Sequence, residues 1–449
     1  MMQTLLFSFY LVLFVVLFRY IVMAVKQGWN IRAVFLIFFM IQYLLVPLLF
    51  ILNDTVFFLD FFPPDLMVTS YQLEHFYSFE SFALVLIFLA AFFLGTWSVN
   101  AHLKSSYQLE ERYVRMLSGR VNFLFLMGLF LTLLSLVSLF LYASSFGGIE
   151  RAVEVAARVR SGYGEEVWLN SRYIFMKRLI PFSMLGLVIF FLLKRREGIM
   201  VWVLFGVALG VTLFSKFVLF KGKQGILALI LLYLFYLSLK NKKSYFMHFG
   251  LFFVAMIFLL PALDIYLDTE KFALPEMSNL LQQFLSMFTF LNFDQVALEF
   301  ALKEHYDYYY FQDFIWGLGG SYLPQSWLSS FSTVIYLNTY FFYGYEHLTV
   351  PPGVVAFGFY NLGVLGVVLM GFFSGFLLRS IDRFFERLIH YNPRMIIAYA
   401  FVMTQAFTWV RTGIPKYAFY STSMTVLFLV ILWGYDRKKV EVNVTDEKH

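Results

Sequence analysis

Eleven basic residues stand beside or inside the ends of long apolar runs, where lysine and arginine are costly to bury. A cation in the middle of a membrane helix costs about 2.5 to 3.5 kcal/mol, so it needs a partner or water. Arginine binds phosphate oxygens through paired hydrogen bonds, and lysine adds a point charge. The set therefore predicts binding of a phosphate-bearing anion. Its members are Arg151, Arg158, Arg160, Arg172, Lys177, Arg178, Lys216, Lys221, Lys223, Arg411 and Lys416.

A different interpretation applies to each cation taken singly, because a long side chain can extend along the helix to the lipid headgroups. The segment 149–166 carries both alternatives. Its spacing predicts a short amphipathic helix on which Arg151 and Arg158, seven residues apart, share a face. The two guanidinium groups could bracket a diphosphate, or the helix could lie flat on the membrane with Glu154 and Arg158 paired.

The composition requires a membrane environment for the elements that carry these residues. Apolar residues make up 61% of the chain and charged residues 14%, with a mean hydropathy of +0.74. Soluble domains are typically about 45 to 50% apolar and about 25% charged. Cysteine is absent, which excludes disulfides, thiol catalysis and thiolate metal sites. The first 24 residues lack a basic start and a cleavage site, so we expect a spanning helix there.

The predicted architecture is an all-α polytopic membrane protein with about eleven spans, because about 20 apolar residues in a helix cross a bilayer. None of the runs alternates as a barrel strand would. The predicted spans are Leu5–Ala24, Ala33–Leu52, Phe82–Ser98, Val121–Ala143, Ile174–Leu193, Ile199–Phe220, Ile226–Leu239, Tyr245–Leu263, Val354–Leu378, Ile396–Val410 and Tyr417–Trp433.

Charge alternates between successive connections and predicts their sides of the membrane. Basic residues recur in every second connection, whereas 53–80 has no lysine or arginine and holds acidic residues that include Asp54, Asp60, Asp65 and Glu74. Basic connections face the cytoplasm as a rule, so we expect the N-terminus outside and the C-terminal tail inside. The chain 1–449 is then a single membrane domain with two enlarged outer loops. These are 144–173, which holds the amphipathic helix, and 267–352, which is rich in aromatic residues.

Residues 305–347 of the long outer loop combine aromatic rings with amide and carboxylate side chains. Rings can stack on sugar faces while amides bind hydroxyl groups, so this section is a candidate carbohydrate surface. Aromatic residues also collect at any membrane interface, which is the alternative explanation. The candidate sugar-binding residues are Trp316, Gln325, Trp327 and Asn338.

Motifs for other chemistries are missing from the sequence. It has no HExxH motif, no acidic pair typical of a metal-dependent transferase on the outer side, and no glycine-rich nucleotide fingerprint. We therefore expect no metal, no cofactor and no nucleic-acid partner. An anion that suits cations at the outer membrane face is a lipid-linked pyrophosphate.

The C-terminal third resembles a known family. The segments YLPQSWLSS (322–330), LNTYF (337–341), HLTVPPGVVAFGFYNLGVLG (347–366) and VRTGIP (410–415) are similar to Wzy-type polymerases of O-antigen repeat units. The likeness extends more weakly to RLIPFSML (178–185) and KGKQG (221–225), where arginine is common in the family and this chain has lysine.

The resemblance implies a metal-independent glycosyltransferase in the bacterial cytoplasmic (inner) membrane, with its active site facing outside. Such enzymes move a growing glycan from undecaprenyl pyrophosphate to the non-reducing end of a new lipid-linked repeat. A flippase and a chain-length regulator are the protein partners that the family implies, besides membrane lipids. Arg151 followed by Gly162 also fits an Arg-x10-Gly pattern proposed for some members.

Pyrophosphate already activates the anomeric carbon of the donor. The enzyme therefore needs mainly to stabilise the leaving group and to align an acceptor hydroxyl beside a base. The candidate bases are Glu346, His347 and Asp313, with Asp264 as a substitute. An O-antigen ligase, with the same donor and another acceptor, and a lipid-linked oligosaccharide flippase are the competing functions. The predicted diphosphate ligands are Arg151, Arg158, Arg178, Lys221, Lys223, Arg411 and Lys416.

Overall fold

The computed structural model describes residues 2–52, 78–102, 121–160, 176–177, 179–193, 198–215, 223–245, 247–251, 255, 293–314, 334–343, 350–391 and 395–413. These residues form helices and turns, and no strand occurs among them. The all-α prediction is confirmed for this part of the chain. In chain order the helices are α1 Met2–Gln27, α2 Ile31–Met40, α3 Val46–Leu52, α4 Phe79–His102, α5 Val121–Ser144, α6 Ile149–Arg160, α7 Phe182–Leu193, α8 Ile199–Leu213, α9 Lys223–Asn241, α10 293–303, α11 Val334–Tyr343, α12 Gly353–Tyr391, α13 Met395–Thr404 and α14 Ala406–Thr412.

Five helices in the described ranges are long and apolar enough to cross a membrane, which indicates an α-helical membrane protein. Large apolar side chains stand exposed along them: Val12 of α1 is 63% exposed and Phe140 of α5 is 60% exposed. Such surfaces suit lipid rather than water. The five segments are Gln3–Gln27, Ile31–Leu49, Phe79–Val99, Phe123–Ser144 and Gly353–Ile389.

Three predicted spans differ from the structure. The predicted span Ile396–Val410 is divided at Gln405 into α13 and α14. The other two have different ends. The prediction Ile174–Leu193 is too long, because α7 begins only at Phe182, after a turn at Leu179–Pro181. Proline has no backbone N–H and disfavours helical geometry in the residue before it, so the helix starts after Pro181. The prediction Val354–Leu378 is too short, since α12 continues to Tyr391.

Helix α12 is also broken in a way that hydropathy does not reveal. Leu362 (φ −151°, ψ 28°) and Gly363 (φ 58°, ψ −141°) leave helical geometry. A Cβ atom on Gly366 would lie 1.9 Å from the carbonyl oxygen of Gly358. Residues eight apart in a continuous helix are about 12 Å apart, so the chain folds back at the break. We call 353–361 the short arm, which is almost wholly buried, and 364–391 the long arm.

The chain divides into two compact units. The first contains Met1–Ser105, Leu237–Phe384 and Val402–Tyr420, and the second contains Ser106–Tyr236, Phe385–Phe401 and Ser421–His449. In the second unit, α6 packs through Ala152 against Tyr142 of α5 and Phe146, which follows α5. Gly186 of α7 lies against Thr132 of α5, where a Cβ atom would be 2.3 Å from the threonine hydroxyl oxygen.

In the first unit, α4 packs closely against the long arm of α12. A Cβ atom on Gly375 would lie 1.9 Å from the carbonyl oxygen of Phe92, and one on Gly371 would lie 2.5 Å from that of Phe88. Glycines four apart on one helix face allow two backbones to touch, as is common between membrane helices. This contact holds the long arm in place, and the short arm folds back from it.

Three connections that the sequence shows to be basic lie at one end of the first unit. Arg32 pairs with Asp382 of the long arm, and the Asp382 carboxylate also accepts a hydrogen bond from the N–H of Ile31 (3.0 Å). The indole N–H of Trp29 donates to the carbonyl oxygen of Ser244. We call this the basic end. The turns before α2 and after α9 therefore lie together with the part of the long arm around Asp382.

Candidate functional site

Helix α10 buries three polar side chains, which is unusual because polar groups are normally left in contact with water. The exposed fractions of Asp294, Gln295 and Glu299 are 2%, 0% and 1%. Buried polar groups are costly unless they are hydrogen-bonded. The contacts of each group therefore indicate what it does.

Glu299 and Gln295 organise the start of helix α4. One carboxylate oxygen of Glu299 accepts hydrogen bonds from the N–H (3.1 Å) and the hydroxyl (2.9 Å) of Ser78. The other oxygen lies 3.2 Å from the ammonium of Lys303, one turn along α10. Gln295 donates to the hydroxyl of Ser81 (3.0 Å). A carboxylate at a helix N-terminus is stabilised by the exposed N–H groups, so these two residues have a structural role.

Asp294 has a different environment at the start of the short arm. A Cβ atom on Gly353 (φ 73°) would lie 2.9 Å from Cβ of Asp294 and 2.2 Å from the hydroxyl oxygen of Tyr43. That hydroxyl accepts a hydrogen bond from the N–H of Val355 (3.3 Å). Oδ2 of Asp294 has no hydrogen-bond partner among the described residues. Burial raises the pKa of the Asp294 carboxyl well above its usual value, and the charge of Arg411 opposes this rise.

Helix α14 brings Arg411 to the same junction. Its C-cap is Gly413 (φ 57°), and a Cβ atom there would lie 2.9 Å from the carbonyl oxygen of Gly353. The indole N–H of Trp409 donates to the hydroxyl of Ser374 (3.1 Å), which ties α14 to the long arm. Arg411 is half-buried, and no hydrogen bond or ion pair to it is found within the described chain. A cation in the last turn of a helix is favoured by the helix dipole.

A π-helical segment, Ile41–Leu45, presents Gln42 beside this junction. The rings of Phe38 and Phe407 are 4.9 Å apart, so α2 and α14 pack side by side. Gln42 and Arg411 each follow this contact by four residues, and both segments then approach Gly353, through Tyr43 and Gly413 respectively. Gln42 is 1% exposed, and neither atom of its amide has a hydrogen-bond partner in the described part of the chain. Single π turns inside α-helices frequently occur at functional sites.

We call Gln42, Tyr43, Asp294 and Arg411 the junction cluster. It combines a half-buried guanidinium, a carboxyl whose pKa is raised by burial and an amide without a described partner. These groups stand at the N-terminus of the short arm, where the helix dipole adds positive potential. The arrangement can bind an anionic group through Arg411 while Gln42 and Asp294 offer hydrogen bonds beside it.

Two predicted site residues, Asn338 and Asp313, lie deep in the first unit. The Asn338 amide donates to the carbonyl oxygen of Val350 (2.9 Å) and accepts from the hydroxyl of Tyr360 (3.2 Å). Asp313 accepts from the N–H of Val334, the first residue of α11 (3.0 Å). Both residues are at most 2% exposed, and both hold local backbone in place. Their roles in sugar binding and as a base stay predictions.

Among the predicted diphosphate ligands other than Arg411, Arg151 is exposed on α6 in the second unit. Arg158 and Lys223 lie in α6 and at the first residue of α9. The side chains of these two residues are not among those that the structure describes. The remaining predicted site residues lie outside the described residues: Arg178, Lys221, Lys416, Glu346, His347, Trp316, Gln325 and Trp327. The alternative base Asp264 also lies there. The proposed convergence of these cations stays a prediction.

Sequence reasoning missed three members of the junction cluster. Asp294 precedes the aromatic section 305–347 that defined the candidate carbohydrate surface, although an acid close before the apolar run VAL is a detectable signal. Gln42 is a polar residue inside the predicted span Ala33–Leu52, which is another such signal. Tyr43 gave none, because tyrosine is common throughout this chain.

The described residues thus define an α-helical membrane protein with a polar junction inside its first unit. No known family model matches the chain, and neither the curated proteins nor the solved structures that were searched contain a match.

Proposed function

We propose that this protein polymerises oligosaccharide repeat units carried on undecaprenyl pyrophosphate, at the outer face of a bacterial cytoplasmic membrane. The proposal includes about eleven spans, an N-terminus outside and a cytoplasmic C-terminal tail. It rests on the sequence resemblance and on one structural observation. Arg411, in the motif VRTGIP, stands half-buried and without a described partner near Asp294 and the start of the short arm.

In this proposal Arg411 binds the donor diphosphate and stabilises the negative charge that develops on it. The acceptor hydroxyl attacks the anomeric carbon, its proton passes to a base, and the bond from that carbon to the pyrophosphate oxygen breaks. The electron pair of that bond leaves with the undecaprenyl pyrophosphate. Preorganised positive charge at a leaving group is a large catalytic contribution, and it needs no metal.

The decisive test uses purified full-length protein in detergent with undecaprenyl-pyrophosphate-linked repeat units as both donor and acceptor. We expect a ladder of longer lipid-linked glycans, resolved by gel or mass spectrometry, in the absence of any other acceptor. A parallel reaction contains lipid A core. Transfer only when the core is present would identify a ligase, and no transfer in either reaction, from protein that is folded and monodisperse, would refute the polymerase.

A further inference from the structure

The burial of the Asp294 carboxyl group is not explained by contacts that stabilise the fold. Glu299, five residues later on α10, accepts hydrogen bonds at Oε1, and its Oε2 has no hydrogen bond but is ion-paired with Lys303. Oδ2 of Asp294 has neither a hydrogen bond nor an ion pair in the described structure. A buried ionised carboxylate with an unbonded oxygen is far more costly than a neutral carboxyl group. The geometry therefore favours the neutral form of Asp294.

The separation between Asp294 and Arg411 supports the same conclusion. The charge of Arg411 acts on Asp294, yet the two side chains form no ion pair within 4.0 Å, although both are described. An ionised Asp294 would attract Arg411 and compete with any other anion for it. A neutral Asp294 leaves the guanidinium available. Gln42, in the π-helical segment that precedes α3, adds an amide without a described partner.

We propose that Asp294 is a positioning residue for the anion site at Arg411: when neutral it leaves Arg411 free for a diphosphate, and when ionised it competes for Arg411. The inference rests on the proposed function in taking a diphosphate as the ligand. The ionisable groups that act on Asp294 among the described residues are Tyr43 and Arg411. Because a bound diphosphate repels an ionised Asp294, binding and protonation of this carboxyl favour each other.

The experiment measures binding of inorganic pyrophosphate to the full chain in detergent by calorimetry, from about pH 5 to about pH 9, a range that begins above the usual pKa of an aspartate carboxyl. Wild type is compared with Asp294→Asn, which keeps the shape of the neutral carboxyl. The matched control is Asp307→Asn, because Asp307 is an exposed carboxylate in the segment that follows α10. The ratio of variant to wild-type Kd at each pH cancels the titration of pyrophosphate itself.

We expect this ratio to be near one at the acidic limit. As pH rises and the wild-type carboxyl ionises, the ratio should fall until the Asp294→Asn variant binds about tenfold more tightly than wild type, the order expected for one nearby charge. The Asp307→Asn ratio should stay at one throughout. In turnover assays the effect should appear in KM for the lipid-linked donor rather than in kcat.

A ratio of one across the whole pH range would overturn the inference. Weaker binding by Asp294→Asn at every pH would also overturn it, because the Asp294 carboxyl would then aid pyrophosphate binding instead of competing with it. Should the variant not fold, infrared difference spectroscopy of wild type answers the question instead. Added pyrophosphate should increase a protonated-carboxyl band at alkaline pH, and its absence would count against the proposal.

Failure of the inference and failure of the proposed function are distinguishable. Pyrophosphate binding with the predicted ratio, but no polymer from lipid-linked repeats, would remove the polymerase and leave the proton-linked anion site. Polymer formation with a flat ratio would keep the polymerase and remove the role of Asp294.

Discussion

The basic end and the junction cluster each place an arginine and an aspartate near a helix N-terminus, but with opposite outcomes. At the basic end, Asp382 is fully buried, pairs with Arg32 and accepts the N–H of Ile31 at the start of α2. At the junction cluster, Asp294 stands beside the start of the short arm and makes no ion pair with Arg411. An arginine that is paired with an aspartate contributes to folding. An arginine without such a pair keeps its charge available for a ligand.

The largest effects should come from replacing Arg411 of the junction cluster and Arg32 of the basic end with alanine. Arg411→Ala should lower the rate of polymer formation about 100-fold or more, because one lost donor to a developing anion costs that much. Its thermal unfolding should match wild type. Arg32→Ala should show the reverse, with a lower Tm and normal activity per folded molecule. Both are measured by the product ladder and by thermal unfolding in detergent.

Gly353 tests whether the junction needs its close contacts. Gly353→Ala adds a Cβ atom that would lie 2.2 Å from the Tyr43 hydroxyl, at a φ of 73° that strains any L side chain. We expect destabilisation of about 3 kcal/mol from clash and strain together, seen as a lower denaturation midpoint. The matched control is Gly210→Ala in α8, where a Cβ atom meets nothing within 4 Å. Equal midpoints for the two variants would show that the junction tolerates the change.

Asp382→Asn tests the ion pair at the basic end. Removing the charge leaves Arg32 without its anion in a largely buried environment, and losing one partner of a buried pair costs roughly 3 kcal/mol. The exposed fraction of the Asp382 side chain is 0%, so solvent cannot replace the lost contact fully. Chemical denaturation should detect the loss, while pyrophosphate binding stays normal. A change in pyrophosphate binding without a change in stability would contradict a purely structural role for the Arg32–Asp382 pair.

The smallest effect concerns stability against pH at Asp294. A carboxyl whose folded pKa is raised contributes stability that is present below its unfolded pKa and is lost as pH rises through the folded pKa. Wild type should therefore lose stability relative to Asp294→Asn as pH rises above the usual aspartate pKa, by about 1 kcal/mol or more. Denaturation midpoints at a series of pH values measure the difference. A constant difference between the two proteins would mean that folding does not shift the pKa of Asp294.

Much of the helical framework could be predicted from hydropathy, because a membrane helix is specified by a local run of apolar residues. The helices Met2–Gln27, Phe79–His102 and Val121–Ser144 agree with the predicted spans to within a few residues at each end. The turns before α2 and after α9 also lie together with the part of the long arm around Asp382, while the side of the membrane that they face stays a prediction. The break at Leu362–Gly363 could not be predicted, since an apolar run reads the same whether the chain continues or folds back.

The candidate site shows the same limit. Arg411 could be selected from its type and its place beside a helix end. Asp294 and Gln42 could not be selected with it, because their importance depends on which groups lack partners after packing.

The order of apolar and charged residues alone determined that this chain is a helical membrane protein with cations at helix ends, since hydropathy and charge act locally along the chain. Only the tertiary structure decided that Asp382 is neutralised by Arg32, while Arg411 has no partner among the described residues. The free energy of a buried charge depends on neighbours that are hundreds of residues away in the chain, and folding alone brings them together.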